Sequence, residues 1–346
     1  MPEPFPSLPP GRRGTVHRPA LHAPCLVGNP WGDPATREIL VYTPHGYTDP
    51  STRYPVVLVL PAFAGSAEGM LARGLGDVPL STRIDRLIAN GCPPFIAVIP
   101  DAITRIGGSQ YLDSEGIGMY QTWVTDVIRP WVDATFRTSG RWGVTGRSSG
   151  GFGAFHLAVR APEVFRAVAL HAPDCAFDLC YLGELLPAIR GIAAAGGVDG
   201  FHDWFWSQHR PSSDAFAAFN LLAMSCAYSP DPAARPIPAR LPFDPDTGAI
   251  FHDVLRSWQR YDPIVCATLP NVQDALRKLD LLFMDAGDRD EYGLHLGVRR
   301  LAATLSAAGV AVHHDEFPGG HRGTAWRFDH SLALLARTLS EGAAGG

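Results

Sequence analysis

Read only for apolar and polar positions, the chain alternates between short β-type runs and helical stretches. Residues 37–44 (R-E-I-L-V-Y-T-P) alternate as a half-buried strand does. Tyr54–Leu60 (Y-P-V-V-L-V-L) is an unbroken apolar run, the pattern of a central strand covered on both faces. Residues 95–99, the run ending at Thr145, and residues 167–170 repeat the theme. Between them, residues 78–91 read as a helix ending at Gly91. Residues 117–136 carry Ile117, Tyr120, Trp123, Val124, Val127, Ile128, Trp131 and Val132 at amphipathic helical spacing, with a kink expected at Pro130. Strand patterns return at 280–285 and 310–317, and helices are expected over 293–308 and 326–339. Strands alternating with helices, with little hairpin patterning after the first two strands, predict an α/β fold. Its mostly parallel central sheet has helices on both faces.

The rhythm breaks over residues 175–270, which hold helical pieces, aromatics at Phe201, Trp204, Phe205 and Trp206, and a Pro-rich connector from Ser229 to Asp246. We read this span as a helical cap insertion, because its apolar periodicity is short and broken. The domain organisation expected is an N-terminal arm (1–36), the first part of the core (37–174), the cap (175–270) and the second part of the core (271–346). The Pro- and Arg-rich first twenty residues are expected to be extended or loose.

One motif carries chemistry. The strand ending at Thr145 runs into Gly146-Arg147-Ser148-Ser149-Gly150, a G-x-S-x-G, and then into the helical Ala154-Phe155-His156-Leu157. Strand, sharp turn and helix are the context of a nucleophile elbow, whose strained serine needs small neighbours. Ser148 is the candidate nucleophile. Its hydroxyl needs a base, and the base needs an orienting acid. His321 follows the last strand in a Gly-rich turn and is the candidate base. Asp290 lies in the loop after the preceding strand and is the candidate acid, with Asp285, Asp288 and Glu291 as competitors. Asp285 is assigned to the strand end, and Asp288 to turning its own loop. The backbone N–H groups of Phe63, in the loop after the Tyr54–Leu60 strand, and of Ser149 are the candidate oxyanion donors. Tyr111 is a candidate lining residue. His171, at the end of the 167–170 strand, is read as a satisfied strand-end histidine. His313 and His314 alternate along a strand and cannot serve one site together.

Composition narrows the class. A net charge of −5 argues against nucleic acid, which needs a basic face. The six cysteines form no C-x-x-C pair and read as mostly buried free thiols, which suits a reducing compartment. No secretory leader pattern and no run of eighteen apolar residues is seen, so a cytoplasmic protein without a membrane span is expected.

Together, V-Y-T-P-H-G-Y, R-Y-P-V-V-L-V-L, I-R-P-W-V-D-A-T-F-R-T, G-R-S-S-G-G-F-G-A, D-A-G-D-R-D-E and F-P-G-G-H resemble the esterase D / putative-esterase family of α/β-hydrolases. Its relatives include feruloyl esterases, S-formylglutathione hydrolases, enterochelin esterases and mycolyltransferases. The resemblance covers about residues 37–174 and 280–335 and implies a triad of Ser148, Asp290 and His321. The family's usual His-Gly before the oxyanion loop is Pro61-Ala62 here. The expected activity is hydrolysis of carboxylic esters through an acyl-enzyme, without cofactor or metal. The expected partner is a small-molecule ester; neither nucleic acid nor membrane is expected, and a homodimer is left open. The alternatives are an acyltransferase with the same triad and a non-catalytic binding protein on the same fold.

Overall fold

The structure, a computed structural model, describes residues 12–74 and 77–341. Nine strands form one sheet: β1 (Thr15–His17), β2 (Ala20–His22), β3 (Thr36–Thr43), β4 (Tyr54–Leu60), β5 (Ile96–Pro100), β6 (Thr138–Arg147), β7 (Phe165–His171), β8 (Leu281–Gly287) and β9 (His313–Phe317). Their order is β1-β3-β5-β4-β6-β7-β8-β9, with β2 also on β3. From β5 to β9 every neighbouring pair is parallel, while β3 runs antiparallel to β5, β1 and β2. The architecture is that of an α/β-hydrolase.

The period of two along each strand divides the core. Val56, Leu58 and Leu60 of β4 face one side, packing on α2 (Ser149–Arg160) in a core that extends to α3 (Ser213–Tyr228) and α4 (Leu294–Ala307). Val57 and Val59 face the other, against α1 (Leu80–Ala89) and α5 (Arg327–Glu341). Residues 175–270 contribute helices but no sheet strand among the described residues. Among the described residues, no helix is long and apolar enough to cross a membrane.

Two expectations are corrected. The N-terminal arm is not loose from Thr15 onward: β1 and β2 pair with β3 and extend the sheet. Residues 1–11 lie outside the described residues. The polar loop after β5 contains two small antiparallel ribbons, Ile103–Thr104 with Gly107–Gly108 and Asp113–Ser114 with Gly118–Met119. The helix expected from 117 therefore starts only at Tyr120. It passes through a π-turn at Trp123–Ile128 before continuing as Arg129–Thr135. Pro130 has no N–H and crowds the preceding turn, so the backbone widens there: Arg129 N–H reaches back five residues to Val124 O.

His156 of α2 is half-buried, its ring 4.3 Å from that of Phe152 and its Nε2 2.9 Å from Tyr261 O. Burial pushes its pKa from 6.5 down to about 4. The unfolded chain takes up this proton first, so the stability contribution is intact above the ordinary value. It is lost as pH falls from there toward the folded value, by roughly 3 kcal/mol at most. Urea unfolding at neutral pH and near pH 4.5 checks this: His156→Gln should lose less stability on acidification than the parent. An equal loss in both would remove His156 as the cause.

Candidate active site

The elbow is built by close approach. Ser148 sits at φ 57°, ψ −124°, a strained conformation for a residue with a Cβ, and its N–H donates to His171 O at 2.9 Å. A Cβ on Gly146 would come within 2.3 Å of the Gly150 carbonyl carbon, and one on Gly150 within 2.3 Å of Leu60 O. Only glycine at both places lets β6 turn into α2 beneath the end of β4.

The loop after β4 is held from behind. Tyr111 is buried, and its hydroxyl donates to Pro61 O at 2.8 Å, so it braces this loop instead of lining the cavity. The Phe63 ring packs edge-on against Phe216 and Phe219 of α3, at 6.1 and 6.2 Å. Among the described residues, neither Phe63 N–H nor Ser149 N–H has an acceptor.

The acids after β8 divide their work. Asp290 Oδ2 accepts from His321 Nδ1 at 2.8 Å, with the Asp290 side chain fully buried. Its Oδ1 accepts from Tyr292 N at 2.9 Å and Leu294 N at 3.4 Å, so the carboxylate is oriented by backbone. Asp288 does not turn its own loop. It accepts from Gly319 N across the cleft at 3.0 Å, and Glu291 accepts from His321 N at 2.6 Å. Each holds the backbone of the Pro-Gly-Gly-His turn, and those bonds keep both carboxyls below the usual range. Asp285 belongs to the strand end, bonded to His171 Nδ1 at 2.7 Å and to Arg327 Nε at 2.6 Å. His171 is buried with its other nitrogen 2.8 Å from Ser331 Oγ. His313 and His314 stand exposed on the edge strand β9. All six cysteines are free, five of them buried.

Ser148 and His321 line one cavity of about 260 Å³, with Phe63, Asp174, Tyr181 and Phe216 among its walls. The Ser148 hydroxyl is not hydrogen-bonded to His321. It donates to Asp174 Oδ1 at 3.1 Å. Asp174 Oδ2 accepts from Gln110 Nε2 at 3.1 Å and Tyr181 OH at 3.2 Å. Burial raises the Asp174 pKa, and the hydrogen bond from Gln110, the charge of His321 and the bond from Ser148 oppose the rise. Sequence reasoning missed this network. Its one usable sign was that Asp174 lies three residues beyond β7, at the carboxyl edge where such sheets bind ligands.

Strand order, elbow and cavity define an α/β-hydrolase. A family model described as "Putative esterase" matches residues 34–335, and the chain belongs to that esterase family. It is a carboxylic ester hydrolase. A solved ferulic acid esterase is 19% identical, with TM-score 0.60 over 94% of this chain and 99% of its own. An S-formylglutathione hydrolase from Agrobacterium tumefaciens is 15% identical, with TM-score 0.59 over 96% and 98%. The fluorophosphonate-binding serine hydrolase F of Staphylococcus aureus is 12% identical, with TM-score 0.54 over 94% and 99%. At these identities the likeness is one of fold. No curated protein matches the chain.

Proposed function

We propose that Ser148, His321 and Asp290 form a triad that cleaves esters through an acyl-enzyme. The observation that carries this is the His321–Asp290 pair, 2.8 Å between Nδ1 and Oδ2, on the wall of the cavity that holds Ser148. A substrate entering the cavity displaces the hydroxyl from Asp174 and turns it to His321 Nε2. The imidazole takes the proton as Oγ attacks the ester carbonyl. Asp290 keeps the Nδ1–H tautomer and stabilises the imidazolium. Phe63 and Ser149 N–H groups receive the oxyanion, a contact that strengthens only as charge develops. His321 then protonates the leaving alcohol, and water repeats the cycle on the acyl group.

Residues 175–270 act as a cap in this reading, because α3 places Phe216 and Asn220 on the cavity wall. The six unpaired thiols support a cytoplasmic setting.

The test combines fluorophosphonate labelling with hydrolysis of nitrophenyl esters. Folded protein should be labelled at Ser148 and should hydrolyse short esters. Folded protein that is neither labelled nor active overturns the proposal. Asp290→Asn should lower kcat about ten-thousand-fold with folding retained, because the amide favours the wrong imidazole tautomer. A loss under tenfold would assign the orienting role elsewhere.

A further inference from the structure

Catalysis takes a donor away from Asp174: the Ser148 hydroxyl turns to His321 as substrate binds, and acylation then removes its hydrogen altogether. In the free enzyme Oδ1 has one partner among the described residues, the Ser148 hydroxyl at 3.1 Å. Oδ2 takes the other two donors, Gln110 Nε2 and Tyr181 OH. Behind them Gln110 Nε2 reaches Tyr228 OH at 2.8 Å, and the two tyrosine hydroxyls lie 3.1 Å apart. Every hydrogen of this group is committed. Gln110 has two to share among Asp174, Tyr228 and, at 3.4 Å, Tyr181; the Tyr181 hydroxyl has one, for Asp174 Oδ2 or Met224 Sδ; and Tyr228 gives its one to Tyr181 when Tyr181 donates to Asp174. Gln110 Oε1 is buried without a partner, so the network has spare acceptors and no spare donor. It is also held at a cost: Gln110 and Tyr111 both stand at φ 53°, in the left-handed region.

When Ser148 Oγ becomes an ester oxygen it has no hydrogen to give. Oδ1 then faces the acyl group without its Ser148 partner, on the wall of the cavity that the acyl group fills, and an acceptor left unpaired there is costly. An alkyl acyl group leaves that defect in place. A donor on the carbon next to the carbonyl, three bonds from Oγ, lies close enough to replace the lost hydrogen.

We propose that Asp174 is a specificity residue for the acyl group, and that the preferred substrates carry a hydroxyl or ammonium on the carbon adjacent to the ester carbonyl. The inference rests on Ser148 being the acylated residue. The general pattern is that a site built to hydrogen-bond a substrate group rejects analogues lacking it, because its own polar atoms are left unpaired.

The experiment compares nitrophenyl esters of glycolic, methoxyacetic and propionic acids and of glycine. Each kcat/KM is divided by the rate of spontaneous hydrolysis to remove intrinsic reactivity. Methoxyacetate keeps the electron-withdrawing oxygen of glycolate but has no donor, and propionate matches glycolate in size without its oxygen. The wild-type enzyme should favour glycolate and the glycine ester over both controls by tenfold or more. Asp174→Leu should bring these ratios close to one, and Asp174→Asn, which keeps an acceptor, should retain part of them. A wild-type ratio near one, or a ratio that survives in Asp174→Leu, overturns the inference. A glycine ester no faster than propionate overturns its ammonium half. Fluorophosphonate labelling separates the failures. Labelling without donor preference sinks this inference alone, whereas a folded wild type that is not labelled sinks the triad reading beneath it. Should Asp174→Leu not fold, the wild-type ratios and Asp174→Asn still decide.

Discussion

Ser148→Ala should lower turnover on a nitrophenyl ester by about a million-fold, with fluorophosphonate labelling abolished. The size follows from the triad acting as a unit: without Oγ, neither His321 nor Asp290 has a proton transfer to perform. Some rate above the uncatalysed reaction should survive, because Phe63 and Ser149 N–H groups would still receive the charge of a directly attacking water. The substitution also removes the one donor on Asp174 Oδ1, so no gain in stability is expected from it. Single-turnover rates on matched folded samples, with labelling as the second readout, check the result. A loss under a hundredfold would show that another residue carries the acyl group.

Much of the core was legible because its physical rules are local. The β4 run Tyr54–Leu60 is apolar at every position because both faces of a central strand are covered. Ser148 was legible because a strand that turns sharply into a helix needs glycine at 146 and 150, and the close approaches to Gly150 and Leu60 are the reason. Asp290 was harder. Four acids lie within seven residues, and only the fold decides which faces the imidazole, which bond the Gly319–His321 backbone, and which is walled in by Arg327. Asp174 was not legible as a site residue. Its partners Gln110 and Tyr181, and Tyr228 behind them, come from the loop after β5 and from the insertion, and no pattern in any one segment announces their meeting. The edge strands β1 and β2 were hidden for a different reason. Three residues each, part exposed and next to Pro19, they are held by pairing to β3 and not by their own apolar content.

Arg327→Met should destabilise the fold by about 3–5 kcal/mol, the range for breaking a buried ion pair from one side. The Arg327 side chain is 9% exposed and that of Asp285 is 1% exposed. Its Nε donates to Asp285 Oδ2 at 2.6 Å and its Nη2 to Asp315 Oδ2 at 2.5 Å. Asp285 also bonds His171, which reaches Ser331 of α5, so one charged cluster joins β7, β8, β9 and α5. Methionine keeps most of the packing against Phe317 and Trp326, whose rings lie 4.9 and 5.0 Å from the guanidinium. What it removes is the cation, which leaves the Asp285 charge buried with only a histidine beside it. Asp315 matters less, because its side chain is 48% exposed and water can take over. Adding Asp285→Asn to Arg327→Met should recover part of the loss, since the stranded charge is then gone while a polar group still faces His171. Urea midpoints of the parent, both single variants and the double variant, at unchanged m-value, measure the coupling. If Arg327→Met costs less than about 1 kcal/mol, or if the double variant is additive, the cluster does not hold these strand ends together as an ion network.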